Sequence, residues 1–162
     1  MESILVSLGF SFMGDIFLGL ADYSNIHSLN KNFVLGVASF AAAHVIYAVL
    51  FGQMVGWSMW DAIVPIMLVG LTYVLSKFPG FDFKGCLKFV LPYAFVLGIM
   101  LMKAMAVDST MIKIAAILFV FSDFLLIFKY FHNKSKPWMT VINLLSYYSA
   151  QIIFALSILT IS

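Results

Sequence analysis

Two carboxyl groups lie inside otherwise apolar stretches of the sequence. Asp15 is in the segment SFMGDIFLG, and Asp123 is in FVFSDFLLIF. An ionisable side chain at membrane depth is costly, so its presence there indicates a functional role by default. Two carboxyls close together in a low dielectric cannot both ionise easily, and such a pair presents an acid beside a base. The pair therefore suits acid–base chemistry on a bond that protonation makes labile, as paired carboxylates do in glycoside hydrolysis.

Other polar side chains occur at a similar depth in neighbouring apolar segments. At the rise of an α-helix, Asp15 and Asp123 each lie roughly 10 Å from the polar end of their segment. The simpler interpretation of these side chains is structural, with hydroxyls and a histidine that bond across helices or to the backbone. The functional interpretation is one polar layer around the two carboxyls. The residues of this layer would be His44, Tyr93, Tyr147, Tyr148 and Gln151.

Several other chemistries use the same kinds of residue. A zinc site of Asp15, His44 and Asp123 is conceivable but has few histidines for that metal. Intramembrane aspartyl proteases carry a glycine two residues before their Gly-Asp, where this chain has Phe12. A transporter would use the same carboxyls and His44 to relay protons or bind a cation, although no inverted repeat is evident. A non-catalytic scaffold, in which the aspartates only join helices, is the fourth alternative.

The composition places these residues in a membrane. Of the 162 residues, 64% are hydrophobic and only 10% are charged, whereas a typical soluble domain is about 45–50% apolar and about 25% charged. The mean hydropathy is +1.08. The net charge of +2 comes from scattered lysines without any arginine, which excludes the basic stripe of a nucleic-acid-binding protein. The single cysteine, Cys86, excludes a disulfide scaffold.

Six segments are long and apolar enough to cross a bilayer, which takes roughly 20 residues. Polar connectors separate them, such as residues 22–31 and the turn at 78–82, where Pro and Gly end a helix. The sequence therefore predicts an all-α class, a polytopic integral membrane bundle of six transmembrane helices that forms a single domain over residues 1–162. The predicted spans are about 3–21, 33–53, 57–76, 87–107, 109–130 and 138–160.

The lysines predict an orientation for this bundle. Most of them follow the first, third and fifth spans, so the positive-inside rule places those loops in the cytoplasm and both termini outside. The first span contains Asp15 and lacks a basic n-region, so it does not read as a cleaved signal peptide. The lysines on the predicted cytoplasmic side are Lys31, Lys77, Lys84, Lys88, Lys129, Lys134 and Lys136.

The order and spacing of several short motifs resemble the YhhN-like family of transmembrane proteins, whose characterised animal members are lysoplasmalogenases. The pattern of Phe40, His44 and Tyr47 in the second span is particularly similar to the family. The segments that carry the resemblance are Gly14-Asp15, FVLGVASFAAAHVIYAVLFG at 33–52, Lys103-Ala104-Met105, Ser122-Asp123 and SYYSAQ at 146–151.

The resemblance implies a membrane-embedded hydrolase that cleaves the vinyl ether bond of a lysoplasmalogen to a fatty aldehyde and a glycerophospho-base. It implies Asp15 and Asp123 as the acid–base pair, in either order, without metal or other cofactor. The implied partners are a lysophospholipid substrate and the bilayer, in a bacterial inner membrane. Lys31, Lys103 and the loop lysines are the candidates for the phosphate. The implied substrate-binding or orienting residues are His44, Tyr47, Tyr93, Lys103, Tyr147, Tyr148 and Gln151.

Members of this family usually have about eight spans, with further helices before the Gly-Asp helix. Six spans are expected here, and Met1 comes directly before that helix. The chain is therefore expected to be either a natural short form of the family or an N-terminally shortened one.

Overall fold

The computed structural model describes residues 2–21, 31–83, 85–134 and 136–160. These ranges form six α-helices and two short 3-10 segments, at Met59–Ala62 and Ile158–Thr160, and they contain no β-strand. The predicted all-helical membrane bundle is confirmed. Most of the polar connector predicted at 22–31, and Lys84, lie outside the described residues. The helices are α1 Glu2–Leu20, α2 Lys31–Val55, α3 Ile63–Leu75, α4 Leu87–Ala106, α5 Thr110–Phe131 and α6 Pro137–Ser157.

Five of the helices in the described ranges are long and apolar enough to cross a membrane, and α3 is shorter. The apolar stretch Met59–Leu75 begins at a capping box, in which the Asp61 carboxylate accepts a 2.7 Å hydrogen bond from the Ser58 backbone N–H. This cap fixes the start of the segment at Met59, two residues after the predicted start of the third span. At 1.5 Å per residue the stretch reaches about 26 Å, compared with roughly 30 Å of hydrocarbon.

The five long helices form a ring in the order α1, α2, α4, α5, α6, which the contact of α6 with α1 closes. Helix α3 packs on α4 outside this ring. The centre is filled by apolar and aromatic side chains, among them Phe40, Phe51, Met100, Phe119 and Phe154. The outward surface carries many exposed large apolar side chains, as expected for helices that a bilayer surrounds.

Two glycines allow the helices to approach closely. A Cβ at Gly14 of α1 would lie 2.6–2.9 Å from ring atoms of Phe40 on α2. A Cβ at Gly98 of α4 would lie 2.5 Å from the Cα of Pro65 on α3. Both distances are shorter than any real Cβ contact, so these positions require glycine for the observed packing. The Gly14 contact sets the register of α1 against α2 next to Asp15.

The loops before α4 and after α5 are joined at one end of the bundle. The backbone N–H of Asp82 donates to the carbonyl of Phe131 at 2.8 Å, and the N–H of Asn133 donates to the carbonyl of Gly80 at 2.9 Å. Gly80 has a φ of +95°, a conformation that favours glycine. This connection holds the lysine-rich ends of α4 and α5 together.

Candidate active site

Asp15 of α1 is held by a side chain from α6. The Tyr147 hydroxyl donates a 2.8 Å hydrogen bond to its Oδ2 atom. The Tyr147 ring packs edge-on against Phe40 and Phe119, with centroids 5.9 and 5.4 Å away. Since these contacts fix the ring, they also fix where the hydroxyl meets the carboxyl.

Asp123 of α5 is held in the same way by α4. The Tyr93 hydroxyl donates a 2.7 Å hydrogen bond to Asp123 Oδ2. The Tyr93 ring meets the ring of His44 edge-on at 5.5 Å, and His44 in turn lies 4.6 Å from Phe119. His44 therefore supports the tyrosine that bonds Asp123.

Both carboxyls line one cavity of about 210 Å³. It lies among α1, α5 and α6, with Phe40 of α2 as part of its wall. The polar side chains on this wall, besides the two aspartates, are Lys129, Tyr130, Thr140, Asn143, Tyr147 and Tyr148. The structure thus brings together two carboxyls that are more than a hundred residues apart in the sequence.

Asp123 also borders two smaller cavities of about 60 Å³ each, whose walls are almost entirely apolar. One is lined by Phe33, Val37 and Val90, and the other by Leu68, Leu71 and Leu97, among others. Both include Tyr93. The Asp123 carboxyl is therefore at the junction of a polar cavity and two apolar ones.

The other residues predicted for the site are distributed over three places. Tyr148 lines the polar cavity and is exposed. His44, Tyr47 and Gln151 lie farther along α2 and α6, inside the ring of helices. Lys103 is roughly 15 Å along α4 from Tyr93, outside the polar cavity.

Lys103 is occupied by contacts within the chain. Its ammonium forms an ion pair with Asp61, donates to the carbonyl of Gly56 and lies 4.7 Å from the centroid of the Trp57 ring. The hydrogen bond from Lys103, and the one from the Ser58 backbone N–H, lower the pKa of the Asp61 carboxyl. These contacts tie α4 to the connection between α2 and α3.

Asn143 and Thr140 line the cavity but were not singled out from the sequence. The Asn143 amide donates a 2.6 Å hydrogen bond to the carbonyl of Ser122, the residue before Asp123. The sequence contains one indication that Asn143 belongs to the site. It is four residues before Tyr147, so the two side chains share a helix face. Lys129 was included only as one of the loop lysines.

The arrangement gives two carboxyls in one enclosed space, each with one oxygen held by a phenol. These two hydrogen bonds involve only the Oδ2 atom of each carboxyl, so each side chain can still give or accept a proton at the cavity. Among the described residues no group of three His, Cys, Asp or Glu side chains is placed to hold a metal ion. Both carboxyls thus face the same cavity.

The fold and the site together define a polytopic helical membrane protein with a carboxyl pair inside its bundle. The sequence profile of the YhhN family matches residues 2–158, nearly the whole chain. The chain belongs to the YhhN family, and the resemblance seen in its motifs is confirmed. No curated protein and no solved structure matches the chain.

Proposed function

We propose that this protein is a membrane-embedded lysoplasmalogenase, which hydrolyses the vinyl ether bond of a lysophospholipid to a fatty aldehyde and a glycerophospho-base. The observation that carries the proposal is that Asp15 and Asp123 line the same cavity, each with one oxygen held by a tyrosine hydroxyl. Membership of the YhhN family agrees with this activity.

The first step is protonation of the vinyl ether. One carboxylic acid gives its proton to the vinyl carbon that does not bear the ether oxygen, and the carbon–carbon double bond supplies the electron pair for the new C–H bond. The product is an oxocarbenium ion. The carboxylate of the partner aspartate lies in the same cavity and stabilises this positive charge, which in a low dielectric is a strong effect.

The second step is addition of water. The water oxygen bonds to the carbon of the oxocarbenium ion, and one water proton returns to a carboxylate. The resulting hemiacetal breaks its bond to the glycerol oxygen and releases an aldehyde and an alcohol. The sum is one vinyl ether and one water converted to one aldehyde and one alcohol, so the aspartates end in their starting state.

The cavities fit the two ends of such a lipid. The polar cavity contains Lys129, Thr140 and Asn143, which suit a phosphate and a glycerol hydroxyl. The small apolar cavities on the other sides of Asp123 suit the start of an alkenyl chain, whose remainder would extend among the helices into lipid. A vinyl ether held between these two environments lies at Asp123.

The proposal includes the inner membrane of a bacterium as the location of the protein. Long apolar helices satisfy their own backbone hydrogen bonds and are stable in such a bilayer. Five such helices occur in the described part of the chain. The substrate would reach the cavities from the surrounding lipid.

Aldehyde release tests the proposal directly. Purified protein in detergent or nanodiscs is given a lysoplasmalogen, and the aldehyde is measured over time. We expect Asp15→Asn and Asp123→Asn each to lower the rate at least 100-fold, the usual scale for loss of a general acid or base. Their unfolding temperatures, measured alongside, show that both variants are folded.

The matched control is Asp108→Asn, which makes the same chemical change at an exposed aspartate outside the site. It is expected to retain the wild-type rate. Equal rates for all three variants, or no aldehyde from any vinyl ether lipid, would contradict the proposal. Exchange of a labelled solute across proteoliposomes would then test a transporter that uses the same aspartates.

A further inference from the structure

Three buried polar side chains and the half-buried Gln151 lie inside the ring of helices, near the carboxyl pair. Ser11, His44 and Tyr47 are at most 1% exposed. Five of their polar atoms have no hydrogen-bond partner among the protein atoms that the structure describes. These atoms are Ser11 Oγ, His44 Nε2, Tyr47 OH, and Oε1 and Nε2 of Gln151.

The registers of three helices place Ser11, His44 and Gln151 at one level, with Tyr47 one turn beyond it. Asp15 meets Tyr147, Gly14 meets Phe40, and the Tyr147 ring meets Phe40. From that level, one turn toward the start of α1 leads to Ser11. Helices α2 and α6 run antiparallel to α1. One turn toward the N-terminus of α1 therefore corresponds to one turn toward the C-terminus of α2 and of α6. That turn leads to His44 on α2 and to Gln151 on α6, and Tyr47 lies one further turn along α2.

A second contact confirms the alignment of α2 with α6. The rings of Tyr47 and Phe154 are stacked with centroids 4.5 Å apart. Tyr47 is seven residues after Phe40, and Phe154 is seven residues after Tyr147, so both helices have advanced by two turns. The Gln151 side chain interacts with the Tyr147 hydroxyl, although the two do not meet the distance and angle of a hydrogen bond. Ser11, His44 and Gln151 are therefore one helical turn, about 5.4 Å, from the carboxyl level, and Tyr47 is about two turns from it.

The His44 ring has a defined tautomer at this level. Its Nδ1 atom faces the carbonyl oxygen of Phe40, which can only accept a hydrogen bond, so Nδ1 carries the proton. Nε2 of the neutral ring is then an acceptor without a described protein partner. Ser11 and Tyr47 can each donate and accept, and Gln151 can do both through different atoms.

Such a concentration of unpartnered groups is not stable without a ligand. Each unsatisfied buried polar group costs about 1–3 kcal/mol, and buried water is the usual partner where several donors and acceptors converge. We propose that Ser11, His44, Tyr47 and Gln151 form an internal water-binding site that delivers the hydrolytic water to the carboxyl pair. The binding of water stands on the buried atoms alone, whereas its use in the reaction rests on the proposed function.

The far side of this water-binding site is closed by apolar side chains. Phe51 and Phe154 are fully buried and stacked beside Tyr47, and Ile4 is 1% exposed. The one hydroxyl nearby on α1, that of Ser7, already donates to the carbonyl of Ser3. Water therefore reaches the site past Asp15 and Tyr147, and it would attack the oxocarbenium ion from the interior of the ring. The lipid occupies the opposite, cavity side.

Water contact can be measured without reference to activity. Labelled protein in lipid bilayers is studied by solid-state NMR with magnetisation transfer from water. We expect transfer to the side-chain amide of Gln151 and to the Tyr47 ring, and none to the methyl group of Met100, which is fully buried in the apolar core. Absence of transfer at Gln151 and Tyr47, with transfer present at the cavity residue Asn143, would overturn the proposal.

Tyr47→Phe provides the second test, with Tyr73→Phe as its control, since Tyr73 is 49% exposed on α3. If the Tyr47 hydroxyl bonds water, its loss lowers the unfolding temperature, and an increase would contradict the site. We expect kcat to fall about tenfold with KM unchanged, since one polar contact to the water is lost. The control should alter neither value.

The two proposals fail in different ways. Water transfer to the site in a protein that releases no aldehyde would refute the hydrolase and leave the water-binding site in place. If the protein releases aldehyde but shows no transfer from water to Gln151 and Tyr47, the water-binding site is refuted and the hydrolase proposal stands.

Discussion

The Tyr147 hydroxyl donates a hydrogen bond to Asp15 across 132 positions of the sequence. The same kind of bond joins Tyr93 to Asp123 across 30 positions. Each carboxyl is therefore oriented by a phenol from another helix, and the two bonds connect four of the five helices in the ring. The site and the closure of the bundle depend on the same contacts.

Removing the Tyr147 hydroxyl should weaken both the bundle and the site. In Tyr147→Phe the Asp15 carboxyl loses its hydrogen-bond donor at the contact between α1 and α6. We expect the free energy of unfolding to fall by about 1–2 kcal/mol, the scale of a buried hydrogen bond, and aldehyde release to fall at least tenfold. Denaturation in detergent and the aldehyde assay measure the two effects. The control is Tyr148→Phe, which removes the hydroxyl of an exposed cavity residue, and an equal loss of stability there would contradict this role.

A methyl group at Gly14 should separate α1 from α2. Its Cβ would lie 2.6–2.9 Å from ring atoms of Phe40, so we expect Gly14→Ala to destabilise the protein by about 1–3 kcal/mol. Gly9→Ala is the matched control on the same helix, because nothing lies within 4 Å of a Cβ there. Thermal unfolding of both variants tests this. If the Phe40 ring is the obstacle, Phe40→Leu added to Gly14→Ala should restore part of the stability.

The phosphate assignment predicts a defect in substrate affinity. Lys129 lines the cavity that contains both carboxyls, so Lys129→Gln should raise KM for a lysoplasmalogen about tenfold while kcat stays nearly constant. Lys129→Arg should retain most of the affinity. Lys136→Gln removes an equivalent charge at the exposed start of α6 and serves as the control. A fall in kcat at constant KM would argue against phosphate binding by Lys129.

The Asp61–Lys103 ion pair predicts a pH-dependent stability. The pKa of Asp61 is lowered by Lys103 in the folded protein, so its contribution to stability is complete above the unfolded pKa of about 3.9. That contribution is lost as the pH falls through the folded value. At pH 7 we expect Asp61→Asn to lower the unfolding temperature by roughly 5 °C, because Lys103 remains buried without its partner.

Unfolding temperatures of the wild type and Asp61→Asn between pH 7 and pH 3 check this prediction. The difference between them should begin to shrink below about pH 4, where Asp61 of the unfolded chain becomes protonated, and should go on shrinking until the pH passes the lower pKa of Asp61 in the folded protein. Lys103→Met provides a second comparison, since it removes the buried charge together with the ion pair. A difference that stays constant across this range would contradict the role of the ion pair.

The positions of the helices along the sequence could be predicted from hydropathy and turn residues. Apart from α3, the predicted spans agree with the observed helices within three residues at each end. The exception has a local cause. The capping box at Ser58 and Asp61 starts a stretch of only 17 residues.

The arrangement of the helices could not be predicted in the same way. The helices are apolar on nearly every face, so periodicity does not show which side of α1 or α6 points inward. The bond between Tyr147 and Asp15, and the one between Lys103 and Asp61, depend on which helices are neighbours. The packing of α3 and the preceding 3-10 segment on α4 places Lys103 beside Asp61. The sequence alone had also allowed Lys103 to bind the substrate. The functional roles of the site residues stay predictions until activity is measured.

The closure of the ring by α1 and α6 also sets when the site can form during synthesis. Asp15 enters the membrane early, but its hydrogen-bond donor is encoded 132 residues later. At about 5–20 residues per second, the ribosome needs roughly 7–26 s to cover that distance. Throughout this interval α1 must remain beside α2 with an aspartate that has not yet met Tyr147. The bond that orients Asp15 thus forms only after α6 has been inserted beside α1.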